Sequence, residues 1–288
     1  MKRIRRLLGE YAACLRSMRP NKRHQLVVLA MFKNESHALA EWVQHYIAEG
    51  ATSIQLINNN SNDDFQTPLG EFIRQGIVEL HHDSRQHAQR QIYNEHLRRL
   101  RPLSEWLLVC DLDEFVYSRP PFLRTVDFLG SQPPWVSCIH LPWKMFGSGN
   151  HLNQPTSIIQ GFVQRSDANQ IHPSAPTLGL MPGKTIARAS RIRSLDVHTC
   201  NLSWGQRIQP SGYRTSRSGF QPISEDLLAQ APVHLNHYAI QSESLFRNVK
   251  MSRGDVNSAE YAHTRNMSYF KRYDINEIQD QELAEKRG

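Results

Sequence analysis

Cysteine is scarce and unpaired in this sequence: Cys14, Cys110, Cys138 and Cys200 are widely spaced and form no C-x-x-C motif. Neither a zinc site nor a disulfide framework is expected, and a reducing, cytoplasmic compartment fits that usage. Long apolar runs are lacking too. The longest, Leu26 to Phe32, has seven residues, too short to span a bilayer or to form the core of a signal peptide. No G-x-G-x-x-G follows that run and no G-x-x-x-x-G-K-[ST] occurs, so a nucleotide would bind without a dinucleotide fingerprint or a P-loop. Repeats and low-complexity tracts are missing. Excess charge of one sign is absent from most of the chain. Eight basic residues against Glu10 alone fall in residues 1–23, and the remainder carries 26 of each sign. That distribution argues against nucleic acid as a partner.

What is present begins with the basic segment itself. Ile4, Leu7, Leu8, Tyr11, Leu15 and Met18 recur at helical spacing among arginines, and Pro20 ends the run. An amphipathic helix over residues 1–20 suits an anionic membrane surface, which would place the protein peripherally at the inner face. It suits equally a face of its own domain or of a second subunit.

Beyond it, Leu26–Phe32 reads as a strand, Lys33-Asn34-Glu35-Ser36 as a turn, and Leu39, Trp42, Val43, Tyr46 and Ile47 as the apolar stripe of a helix closed by Gly50. A second strand, Ser53 to Ile57, runs into the polar loop Asn58 to Asp64. A helix over 68–75, a strand over 77–80 and a helix over 86–101 follow. The chain then reaches Trp106-Leu-Leu-Val-Cys110, an apolar run that ends on Asp111-Leu-Asp113-Glu114-Phe115. Carboxylates crowded at the mouth of a buried strand repel one another unless a cation compensates them, and hard oxygen ligands favour Mg2+ or Mn2+. A solvated acidic turn is the plain alternative.

Alternating strands and helices imply an α/β fold, a Rossmann-type, mostly parallel sheet flanked by helices, whose strand ends gather Asn34-Glu35, Asn58 to Asp64 and Asp111 to Glu114 at one edge. The chain divides into the basic helix (1–23), a body (24–256) and a C-terminal helical extension (257–288). Residues 143–183, rich in Gly, Pro, Ser, Asn and Gln, suit a mobile loop that orders when a ligand binds.

Phe32-Lys-Asn34-Glu35 with Glu41-Trp42, the strand-end Asn59-Asn60-Ser61-Asn62-Asp63, the Asp-x-Asp-Glu-Phe segment, Trp143-Lys-Met-Phe146-Gly147-Ser148-Gly149, and His237-Tyr238 with Ser242, Phe246, Lys250, Arg253 and Gly254 together resemble glycosyltransferases of the family 2 and family 92 type. The resemblance covers roughly residues 25 to 255. It implies a GT-A-like fold, a nucleoside-diphosphate sugar as donor (a UDP-sugar foremost), a glycan or lipid-linked acceptor hydroxyl, a metal-dependent and inverting transfer, and a role in polysaccharide biosynthesis. Asn58 stands where such enzymes often place an Asp, so a base contact carried to it passes to Asn59 or Asp63 as readily.

On this reading Asp113 is a metal ligand and Asp111 a ligand or ribose contact, with His237 completing the shell or touching the diphosphate. Asn34, Glu35, Asn58 and Asp111 face the nucleotide sugar, and Lys184, Lys250 and Arg253 neutralise phosphate oxygens. Glu114 is the first choice as catalytic base and His198 the second, with Asp226 and Asp255 also available. Two rival readings remain. An apolar strand before Asp-x-Asp also resembles haloacid-dehalogenase-type phosphohydrolases, although Glu114-Phe115, Lys184 and Glu225-Asp226 match that pattern poorly. A non-catalytic carbohydrate- or membrane-binding module is the other.

Overall fold

The apolar runs become a sheet covered on both faces. In a computed structural model that describes residues 23–173, 175, 177–215, 220–252 and 265–288, β1 (His24–Phe32), β2 (Ser53–Asn58), β3 (Val78–His82) and β4 (Ser104–Val109) lie parallel in the order β3-β2-β1-β4. Successive β1 side chains feed opposite cores, as the two-residue period of a strand requires. Leu26, Val28 and Ala30 meet α1 (Ser36–Ala48) and α2 (Gln66–Arg74), while Val27, Leu29 and Met31 meet α3 (Gln89–Leu100). Gly50 turns the chain after α1 at φ +93°, where a Cβ would strike Val126 of α4 (Thr125–Gly130), so the residue that closes the helix is also one that packing requires.

The rest of the sheet is mixed. It takes in β5 (Glu114–Ser118), β6 (Val136–Met145), β8 (Leu180–Arg188) and β13 (Val233–His237), with β7 (Gln164–Arg165) outside it, and the order continues β4-β8-β6-β13-β5. Strand β8 is antiparallel to both β4 and β6, whereas β6 and β13 run parallel to each other. Strands β9 (Ile192–Leu195) and β10 (Cys200–Leu202) form a hairpin, and β11 (Gln206–Ile208) and β12 (Phe220–Pro222) add to β6 and β8. This is the α/β, mostly parallel GT-A-like architecture expected. Among the described residues no helix is long and apolar enough to cross a membrane; the basic helix read over residues 1–20 lies outside them.

Two expectations change. The stretch read as a mobile loop is tied down over its first half, with α5 (Ile158–Gly161) inside it. Ser148 N donates to Asp274 Oδ1 (2.7 Å), Gly149 N to Asn276 Oδ1 (2.8 Å), and Ile158 N to Glu41 Oε2 (2.7 Å). The C-terminal extension is a strap woven into the body. After α6 (Glu225–Gln230), α7 (Glu243–Leu245) and α8 (Met267–Tyr273), β14 (Ile278–Gln279) pairs with β7 and α9 (Glu282–Arg287) docks on the core. Asp280 sits 2.6 Å from both Lys144 Nζ and Arg165 Nε, and Lys286 Nζ lies 3.0 Å from the buried Glu49.

Burial alone would raise the Asp280 carboxyl, but Lys144 and Arg165 hold it below its ordinary value. A depressed carboxylate contributes stability that is complete above its unfolded pKa, about 3.9, and lost as pH falls through the folded value. The β14 amides are therefore expected to lose hydrogen-exchange protection below about pH 4, ahead of those of β1. Asp280→Asn should remove this acid step, and an unchanged step in that variant would assign it elsewhere.

Candidate active site

Helix α1 fixes the acidic turn. Trp42 Nε1 donates to the carbonyls of Asp111 (2.9 Å) and Glu114 (3.1 Å), and Tyr46 Oη, one helical turn on, donates to Glu114 O at 3.0 Å. Two aromatics at i and i+4 share a face, so one helix holds both ends of the turn between β4 and β5.

Within that turn the carboxylates part company. Glu114 is fully buried. Its Oε1 accepts from Trp143 Nε1 (2.7 Å) and its Oε2 from the Asp111 backbone N–H (2.9 Å). Burial raises its pKa against the pull of Lys184. The first-choice base is therefore a brace: no acceptor hydroxyl reaches a carboxylate with no exposed surface and both oxygens engaged.

The lysines are spent as well. Lys184, carried inward by β8 and without exposed surface, donates to Asp111 Oδ2 (2.7 Å) and Val197 O (3.1 Å) and lies 3.5 Å from Glu114 Oε2. Burial would lower its pKa, but Asp111 and Glu114 reverse the shift. Lys250 ends a π-helical turn, Phe246–Lys250, a widened turn often found at functional sites. It donates to Asp113 Oδ2 (2.7 Å), Ala239 O (2.7 Å) and Tyr238 O (3.3 Å). Three acceptors use all three ammonium protons, so Lys250, like Lys184, balances a carboxylate in place of a phosphate. Asp111 accordingly faces a lysine through its Oδ2.

Asp113 keeps one oxygen for other work. Its Oδ1 lies 3.6 Å from His237 Nε2, at the end of β13, and the His237 Nδ1 is buried with no hydrogen-bond partner among the described residues. Burial would raise the Asp113 pKa, yet the Lys250 ammonium and the adjacent imidazole hold it well below the carboxylate range. The His237 ring packs on Trp143 at 4.3 Å between centroids, and His198 meets the same indole edge-on at 5.3 Å. His198 is exposed. Desolvation, and then Lys184, pulls its pKa to about 4, so it is neutral at physiological pH.

The polar loop after β2 is self-bonded. Asn34, at φ +53°, accepts through Oδ1 from Asn62 N (2.8 Å), and its own N–H donates to Ser61 Oγ (2.9 Å). Asn58 accepts from Ser61 N (2.9 Å), with its amide nitrogen 3.2 Å from His82 Nδ1. Both shape the loop, so the nucleotide contact expected of the Asn58 side chain is replaced by a structural one. Asp63 accepts from Ser36 N at 2.7 Å while its Oδ1 is buried with no hydrogen-bond partner among the described residues. Glu35 is buried and acts electrostatically on Lys250.

Arg253 and Asp255 lie outside the described residues, and Asp226 is exposed on α6. Trp143 enters the site from β6 unforeseen as its central wall. Arg265 is a second addition: its charge bears on Lys250 and on Tyr269, which also feels Asp113, and it pairs with no carboxylate among the described residues. No local pattern marks it, since it precedes α8 and reaches the site only through the strap. The phosphohydrolase reading loses its acid pair, because Glu225 is bound to Arg165 at 2.7 Å.

Comparisons with known proteins follow this geometry. No match was found among curated proteins. Among solved structures, S. aureus TarS 1-349 aligns at TM-score 0.34 and 13% identity over 58% of this chain and 47% of that one. S. aureus TarS aligns at 0.35 and 14% over 58% and 28%, and TarS 1-349 in complex with UDP at 0.36 and 13% over 58% and 47%. The chain thus spans less than half of each of those proteins, a likeness too remote to bear on the chemistry. The family model described as glycosyltransferase family 92 matches residues 27–284, from β1 through the C-terminal strap, and the chain belongs to that family of glycosyltransferases.

Proposed function

We propose that this enzyme moves a sugar from a nucleoside-diphosphate donor, a UDP-sugar foremost, to a hydroxyl of a glycan or lipid-linked acceptor by a single inverting displacement, with a divalent cation at Asp113 and His237. The observation that carries the proposal is the pairing of Asp113 Oδ1 with His237 Nε2 at 3.6 Å beside a buried, unpartnered Nδ1. That donor set fits Mn2+ or Mg2+. Among the described residues no three His, Cys, Asp or Glu side chains form a complete cage, as suits an ion that shares its shell with substrate phosphates. Such a cation, when bound, neutralises charge developing on the departing diphosphate.

The chain's own residues supply the rest. Lys184 and Lys250 fix Asp111 and Asp113 in place without competing for the donor, and Lys250 favours the charged form of Asp113. Arg265, which pairs with no carboxylate among the described residues, is the guanidinium offered to the diphosphate. His198, neutral and exposed beside Trp143, accepts the acceptor's hydroxyl proton. Trp143 stands between His198 and His237 and fixes their separation.

Calorimetric titration with UDP, with and without Mn2+, tests the reading together with assay of UDP release from UDP-sugars. Binding is expected to need the cation, and Arg265→Ala to weaken it by about tenfold, the loss of one charge-assisted contact. Failure of the wild type to bind any nucleoside diphosphate with either cation would end the donor assignment; unchanged affinity in Arg265→Ala would remove only that residue from it.

A further inference from the structure

The edge of the sheet remote from the acidic turn carries a surface of its own. Strands β1, β2, β4 and β6 all run the same way, so their first residues, His24, Ser53, Ser104 and Val136, lie along one edge, with Asp111 and Trp143 toward the other. Four of the eight large apolar side chains exposed among the described residues gather at the first edge. Trp135 immediately precedes β6, and Leu103 accepts from His24 N through its carbonyl (3.0 Å). Ile73 lies in the last turn of α2, just ahead of β3. Leu123, 83% exposed, leads into α4, which bonds the end of α1 through Val126 N to Glu49 O (3.1 Å). Cations stand among them. Arg98, at the end of α3, and Arg193, on β9, are exposed and pair with no carboxylate among the described residues. Arg101 links their elements by donating to Ile192 O at 2.7 Å. The nearby carboxylates Glu71, Glu105 and Asp127 are already engaged, by Arg74, Arg188 and Arg124. Residues 1–22, outside the described residues, add seven basic side chains against Glu10 and join the fold at this edge through the exposed Arg23.

We infer that this strand-start edge docks on an anionic lipid surface. Guanidinium groups free of carboxylates, set among single apolar side chains of which one is a tryptophan, suit the headgroup region of a bilayer, where cations meet lipid phosphates and indoles rest at the interface. A second copy of the chain fits the same edge poorly. A twofold interface is self-complementary, so it would set these arginines against their own copies with no spare carboxylate to answer them.

Docking in this way fixes the orientation of the active site. Strand β6 carries the chain from Val136 at the docking edge to Trp143 in the site, a climb of about 23 Å at the rise of a strand. A lipid-linked acceptor of the proposed transfer must therefore carry its reactive hydroxyl on a glycan long enough to cross that distance.

Cosedimentation of the full chain with phosphatidylcholine vesicles, with and without phosphatidylglycerol, tests the surface. Binding is expected only where phosphatidylglycerol is present and should weaken as salt rises. Arg98→Gln combined with Arg193→Gln should reduce it by about thirtyfold, two surface charges at roughly fivefold each, without a fall in Tm. Orientation is read by an environment-sensitive fluorophore on a Cys14→Ser background, the other three cysteines being buried. Attached at Leu123→Cys, it should shift to the blue on anionic vesicles. At Ile171→Cys, an exposed position beside His172, whose ring lies 6.3 Å from that of Trp143, it should not. No binding to anionic vesicles, full affinity in the double variant, or a blue shift at Ile171→Cys in place of Leu123→Cys would overturn the inference. So would a blue shift at Leu123→Cys in protein alone that grows with concentration, which would give the edge to a second copy. None of these readouts involves sugar transfer, so failure here stands apart from failure of the donor assignment.

Discussion

Asp113→Asn should reduce sugar transfer by about a thousandfold, the upper end of what one electrostatic contributor to a transition state supplies. Two effects combine. The variant loses the charge that faces His237 at 3.6 Å, and it strips the buried Lys250 of its carboxylate, leaving two backbone carbonyls as acceptors. Removing one member of a buried pair costs about 3–5 kcal/mol, so a fall in Tm is expected alongside the lost activity. The second effect could mimic the first, and Lys250→Met placed on the Asp113→Asn background separates them. Stability should recover in the double variant because no unpaired charge remains buried, while transfer should not. Recovery of transfer would make Asp113 a structural partner of Lys250 and withdraw it from the chemistry.

The elements that this prediction rests on were legible to different degrees. Strands β1 to β4 and helices α1 and α3 follow from period and apolar runs, because each satisfies its pattern within one short window. The gathering of Asn34, Asn58 and Asp111 at one edge follows from parallel strands alone. The partners of the lysines could not be read this way. Lys184 meets Asp111 across 73 residues of chain and Lys250 meets Asp113 across 137, and a lysine destined for a carboxylate is indistinguishable in sequence from one destined for a phosphate. Glu114 failed for a subtler reason. It opens β5, all five residues of which are buried, so no alternation of exposed and buried positions in the strand marks where its side chain goes. A turn pinned from outside by Trp42 and Tyr46 does not reveal its phase in its own residues. His237 and His198 were visible as candidates, but the role of the indole between them was not, since Trp143 sits in a strand whose apolar positions have ordinary core roles.

Lys184→Met should be the most destabilising single change at the site, by about 3–5 kcal/mol at neutral pH. Asp111, with a third of its side chain exposed, can rehydrate when the ammonium is gone; Glu114, with none, cannot. The cost therefore falls on Glu114, and it carries a pH signature. A carboxyl whose folded pKa lies above its unfolded value contributes stability that is present below the unfolded pKa and lost as pH rises through the folded one. Burial already raises Glu114 with Lys184 in place, and losing that ammonium raises it further. The Lys184→Met deficit should accordingly be larger at pH 8 than at pH 5.5 in urea unfolding, and Glu114→Gln on the same background should flatten the difference. A pH-independent deficit would locate the damage in packing around the lost side chain instead of in the stranded carboxylate. Because Lys184 also holds Val197 O, the double variant should regain stability without regaining full activity: the loop bearing His198 would still lack the hydrogen bond that fixes it over Trp143.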